Sequence, residues 1–135
     1  MTFEDFRSFL VNRRIVKWNG VDEITLDNGV VVSIEETAQD CCAHACGCFE
    51  NVKIDAAIIG VTEPKYTAWE DGDTYGCGAE VKILYNDLDF CRATADADAG
   101  NGGYYFSVAS FIVKNIQKNG YRKDQFVHFV ESSDS

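Results

Sequence analysis

Reactive side chains crowd into one stretch of this chain, Gln39-Asp40-Cys41-Cys42-Ala43-His44-Ala45-Cys46-Gly47-Cys48, which holds four of the six cysteines and one of the two histidines. Its residue types permit two chemistries. Cys42 (or Cys41), His44, Cys46 and Cys48 are donors of the kind zinc takes four at a time. The spacing fits zinc poorly: one short loop must bend sharply to aim four ligands at an ion, and no Cys-x-x-Cys pair elsewhere completes a knuckle. Cys77 and Cys91 are the only other thiols that could join. The second chemistry is nucleophilic, with His44 or His128 lowering the pKa of Cys41 or Cys42 and Asp40 orienting the imidazole. No oxyanion device accompanies it, and the glycine and tryptophan contexts of the known cysteine hydrolases are absent. The plain alternative to both is that the thiols pack as small hydrophobes beneath the loop, with Asp40 accepting backbone hydrogen bonds. His128, between Val127 and Phe129, reads as a strand residue.

Other clusters carry weaker signals. Glu70, Asp71 and Asp73 around Gly72, and Asp96 with Asp98, could bind calcium but lack the twelve-residue spacing of an EF-hand loop; they read as solvated turns. Lys114, Lys118, Arg122 and Lys123 gather near one turn as a candidate anion- or partner-binding patch. No phosphate loop, dinucleotide-type glycine fingerprint or Gly-x-Ser-x-Gly elbow is present.

Composition narrows the function class. Twelve Lys and Arg against twenty-two Asp and Glu give a net charge of −10, which disfavours nonspecific attraction to nucleic acid or anionic lipid. Glu4, Asp5 and Arg7 interrupt the first turns, so no signal peptide is expected. The longest plain apolar run, Ala56 to Val61, is too short to span a bilayer. A cytoplasmic location with reduced thiols is the expectation. At 135 residues the chain is read as one globular domain over 1–131, with a disordered polar tail at 132–135.

The element that leads into the reactive stretch is a β-hairpin. Ile24 and Leu26 lie two apart, as do Val30, Val32 and Ile34, around Asp27-Asn28-Gly29. A three-residue loop pairs Leu26 with Val30 and Ile24 with Val32, so all five apolar side chains share a face. Such a loop is a type I turn followed by a left-handed residue, the place Gly29 fills. A helix is predicted near residues 2–11, with a Thr2–Asp5 capping box, Met1 stapling onto Phe6, and a stripe of Phe3, Phe6 and Leu10. Strands are predicted at Ile15–Trp18, Ala56–Thr62 (limited by Pro64 or placed at an edge), Glu80–Tyr85, Asp87–Thr94, Tyr104–Val113 and Gln125–Val130. Phe49–Ile54 is read as strand or short helix. Trp69–Asp73 reads as a turn, Gly76-Cys77-Gly78 as a flexible point, and Asp96–Gly103 as a mobile loop. The expected architecture is α+β and β-rich, an N-terminal helix packed on a mainly antiparallel sheet of about six strands.

Leu26-Asp27-Asn28-Gly29, Asp40-Cys41-Cys42-Ala43 and the later Gly103-Tyr104-Tyr105 together resemble a family of small uncharacterised proteins encoded mainly by bacteriophages of actinobacteria. In that family a hairpin leads into Gly-Asp-Cys-Cys-Ala and a tyrosine-bearing strand follows. Gln39 stands here in place of the glycine, and His44-Ala45-Cys46-Gly47-Cys48 lies outside the pattern. The resemblance implies a phage accessory protein acting in the host cytoplasm. The function expected is non-enzymatic binding, either of a host protein or of a small ligand, with no cofactor and no nucleic-acid partner. The alternatives are a cysteine- or zinc-dependent enzyme using the Asp40–Cys48 loop, and a minor virion component.

Overall fold

The computed structural model describes residues 1–116 and 119–134. Among them the chain forms one α-helix, α1 (Phe3–Leu10), and ten strands: β1 (Ile15–Trp18), β2 (Glu23–Leu26), β3 (Val31–Gln39), β4 (Ala45–Glu50), β5 (Ile58–Val61), β6 (Lys65–Asp71), β7 (Thr74–Tyr85), β8 (Phe90–Asp98), β9 (Ser107–Ile116) and β10 (Arg122–Glu131). They form two antiparallel five-stranded sheets, one in the order β1-β2-β3-β9-β10 and the other β4-β8-β7-β5 with β6 also on β7. The inner faces of both sheets feed one core. The expected single sheet of about six strands under a helix is therefore corrected to a two-sheet β-sandwich. The physical reason lies in the helix. Its eight residues bury only Phe6 and Leu10 fully, too little apolar surface to cover a sheet, so a second sheet must supply the other layer.

The helix does form as its sequence predicts. Thr2 N–H donates to Asp5 Oδ2 (2.9 Å) and Asp5 N–H to Thr2 Oγ1 (3.1 Å), closing the capping box. Phe6 stacks on Phe111 of β9 (4.4 Å between centroids) and Phe111 on Phe129 of β10 (4.2 Å), so the helix is pinned to the first sheet by an aromatic column.

The hairpin of β2 and β3 has the expected register, Ile24 opposite Val32. Gly29 N–H donates to the Leu26 carbonyl (3.0 Å) and Leu26 N–H to the Val30 carbonyl (2.8 Å), with Gly29 at φ +88°. Ile24, Leu26, Val30, Val32 and Ile34 are all buried. Pro64 interrupts the outer edge of β7: β5 pairs with its C-terminal end and β6 with its N-terminal part. This is the edge placement proline demands.

Several stretches differ from their predicted form: Trp69–Asp71, read as part of a turn, end β6, and the strand predicted from Tyr104 begins at Ser107. Gly76-Cys77-Gly78 lies inside β7, and Asp96 to Asp98 belongs to β8. Ala93, Ala95 and Ala97 face the core while Thr94, Asp96 and Asp98 face out, a period-2 pattern written in residues of low strand propensity. At the C-terminus, residues 132–134 are held in place: Ser132 is buried and its N–H donates to the Ser107 carbonyl (3.1 Å). Among the described residues no helix is long and apolar enough to cross a membrane.

Candidate functional site

The chain leaves the first sheet at Gln39 and enters the second at Ala45, so the reactive stretch is the corner between the two layers. Asp40 N–H donates to the Phe106 carbonyl and Ala43 N–H to the Asp40 carbonyl, each 2.9 Å. The corner residue Cys41 carries φ +44°, a left-handed conformation that costs a non-glycine residue about 1 kcal/mol. Gln39, which stands where the resembling family has glycine, is the last residue of β3 and pairs with Ser107. Ala43 is the buried residue of the corner, Cys42 is half-buried and Cys41 exposed.

Asp98, Ser107 and Cys42 hold this corner, and nothing in the sequence alone assigned any of them that role. Asp98 Oδ1 accepts the N–H of His44 and of Gly100, both at 3.0 Å. The buried Ser107 hydroxyl lies 2.9 Å from the His44 carbonyl and 2.7 Å from that of Asp98. Cys42 Sγ accepts the Asn101 N–H at 3.1 Å. Thus Asp98 does what was expected of Asp40, whose side chain makes no hydrogen bond among the described residues. The signal that could have found Asp98 is the Ala-Asp alternation from Ala95 to Ala99.

Around the corner, the end of the sandwich is aromatic and open. Tyr104 is 87 % exposed, Phe106 44 % and Tyr75 40 %. The Tyr75 ring packs on Gly103 and the Tyr104 ring on Gly102, contacts that side chains there would block. The neighbouring Cys41 side chain pushes the Tyr105 hydroxyl's pKa upward.

Cys46 and Cys48 are not loop residues. They lie on β4, on the outward face, opposite Asp96 and Thr94 of β8; Cys48 Sγ is 3.6 Å from Thr94 Oγ1. Burial and the facing Asp96 push the Cys46 thiol up, the opposite of what a nucleophile needs. Burial also raises Cys77, and raises Cys91 to about 12. Among the described residues neither histidine ring hydrogen-bonds a thiol, and no three of Cys42, His44, Cys46 and Cys48 bring ligand atoms within 4.8 Å of one another. One group does: His128, Glu131 and Asp134.

The remaining candidates are dispersed. Lys114 pairs with Glu35 (3.1 Å) and Glu23 (3.5 Å), and Arg122 with Asp124 (2.8 Å). Lys123 is exposed, and Lys118 lies outside the described residues. Two of the four residues of the basic patch, Lys114 and Arg122, are therefore paired with neighbouring carboxylates. Glu70 and Asp71 end β6 and Asp73 follows Gly72 in the turn to β7, whereas Asp96 and Asp98 lie on β8, with Asp98 opposite Gly76 of β7. The outer face of the second sheet carries a shallow groove of about 500 Å³ over Gly78, bordered by Lys65, Lys82 and Arg92 and by Glu63, Glu80 and Asp96. Its charges are mixed, and Arg92 is engaged by Glu80 at 2.8 Å.

No curated protein and no solved structure matches the chain. A family described as a domain of unknown function, DUF7448, matches residues 8–112, a span that runs from within α1 into β9 and includes the corner and its aromatic surround. The chain belongs to the DUF7448 family.

Proposed function

We propose that this is a non-enzymatic binding protein whose recognition surface is the aromatic end of the sandwich, built by Tyr75, Tyr104 and Phe106 around the Cys41–Cys42 corner. The observation that carries this reading is the exposure of those three rings on a rigidly hydrogen-bonded frame. Tyrosine and phenylalanine offer large contact area at low conformational-entropy cost, and such residues dominate protein–protein contacts. The strained, exposed Cys41 fits the same reading, because strain persists where a surface is shaped for a purpose. The absence of a histidine–thiol contact among the described residues favours binding over catalysis at this corner. With the resemblance to phage-encoded proteins, the partner is a host protein and the role that of an accessory factor in the host cytoplasm.

The test is expression in an actinobacterial host, scoring growth or phage yield, with complexes identified by native mass spectrometry. Tyr104→Ser combined with Phe106→Ser is expected to abolish both partner association and phenotype while circular dichroism stays native. Cys41→Ser and Cys42→Ser are expected to retain both. Should either folded cysteine variant alone abolish the phenotype, a cysteine-dependent activity replaces the binding reading.

A further inference from the structure

The group formed by His128, Glu131 and Asp134 belongs to neither the aromatic end nor the cysteine corner, and it lies beyond the residues the family description matches. From it we infer a binding site for a divalent transition-metal ion of borderline softness, such as zinc, at the C-terminal end of β10.

The geometry begins with a β-bulge. The register between β10 and β9 shifts between His128 and Val130, so Phe129 and Val130 are both buried in succession and Glu131 comes round to the outward side that His128 already occupies in the alternation of β10. A bulge re-aims a side chain in this way. The chain then folds back in a turn: Asp134 N–H donates to the Glu131 carbonyl (3.0 Å), and buried Ser132 is tied to Ser107. His128 Nε2 and Asp134 Oδ2 come to 2.8 Å. The ligand atoms of His128, Glu131 and Asp134 all lie within 4.8 Å of one another. Metal–ligand bonds of about 2.0–2.2 Å place neighbouring ligand atoms roughly 3–3.5 Å apart, so small side-chain rotations close the site.

One imidazole and two carboxylates form a nitrogen–oxygen donor set that suits zinc, with room left for water. The carboxylates are oriented by neighbours: Ser133 Oγ donates to Glu131 Oε1 (3.2 Å) and the Glu131 N–H to Asp134 Oδ2 (2.8 Å), the kind of support that fixes ligands in place. The six free cysteines are the competing metal ligands, and the test must separate them from this site.

Cobalt(II) titration of the reduced full chain, followed in the visible spectrum, and zinc titration calorimetry make that separation. Expected are one ion per chain, weak cobalt bands with no sulfur charge-transfer absorption, and affinity lowered about tenfold or more by His128→Gln. Asp134→Asn, which keeps an acceptor for the Glu131 N–H, is expected to weaken binding similarly, and His44→Ala to leave it unchanged. No binding, undiminished affinity in His128→Gln, or a thiolate charge-transfer band would each overturn the site. None of these outcomes bears on the aromatic end, so the two proposals stand or fall separately.

Discussion

At the scale of single residues, the cysteines divide by environment. Cys41 and Cys46 are exposed, Cys42 and Cys48 half-buried, and Cys77 and Cys91 fully buried. Burial holds the Cys91 proton up to about 12, so this thiol is both inaccessible and un-ionised at neutral pH. Labelling of the native protein with a thiol reagent is therefore expected to modify Cys41 rapidly, Cys46, whose thiol is exposed but pushed up, together with Cys42 and Cys48 more slowly, and Cys77 and Cys91 only after denaturation. Peptide mapping of the labelled sites checks this. Rapid modification of Cys91 without denaturant would mean that the two sheets do not close over it. In place of Cys41 and Cys42 thiols packed beneath the loop, the corner buries Ala43 and leaves Cys42 half-buried, because it turns its smallest side chain inward.

At the scale of elements, two glycines are required for different reasons. Gly29 has nothing within 4 Å of where a Cβ would stand, so Gly29→Ala meets only the penalty of the left-handed conformation, about 1 kcal/mol. At Gly47 on β4 a Cβ would meet Ile34 Cγ2 and the Thr94 carbonyl oxygen, both at 2.6 Å. That position is where β4 of one sheet presses on β3 of the other, and the backbone oxygen cannot rotate away. Gly47→Ala is expected to destabilise more than Gly29→Ala, by roughly 1–3 kcal/mol, because overpacking moves backbone. Urea unfolding of the two variants side by side gives the ranking; equal midpoints would show that the sheets can separate at Gly47 without penalty.

At the scale of the molecule, net charge −10 and the pairing of particular acids shape the response to pH. The Lys53 ammonium donates to Asp89 and Asp87 and holds both below the usual range, Asp89 at about 2. Ser33 does the same for Glu35. A carboxyl lowered in the folded state adds stability that is fully present above its unfolded value of about 4 and lost as pH falls toward the folded one. Melting temperature is therefore expected to decline between about pH 4 and pH 2. In Lys53→Met part of that decline should vanish, most clearly at low ionic strength, since these groups are exposed and salt screens them. An unaltered acid limb in the variant would remove the Lys53 cluster from the account.

What the sequence by itself determined was local. The capping box of α1, the three-residue turn at Gly29, the edge position forced by Pro64 and the shared face of Ile24, Leu26, Val30, Val32 and Ile34 all follow from side-chain chemistry and spacing over a few residues. Gly76 and Gly78 in β7, and the alanines and aspartates of β8, defeated local reading because their propensities point away from strand. Only contacts between strands explain them: the Trp69 ring of the neighbouring strand β6 lies over Gly76, and the alanine row gives the close approach that the facing sheet needs. The sites were less legible still. Asp98 meets His44 across 54 residues of chain, Cys46 and Cys48 were drawn out of the loop by pairing with β8, and His128 meets Asp134 only beyond a bulge in β10. Contacts of that kind depend on strand pairing and register. Those are set by which apolar faces bury one another, so tertiary structure alone decided them.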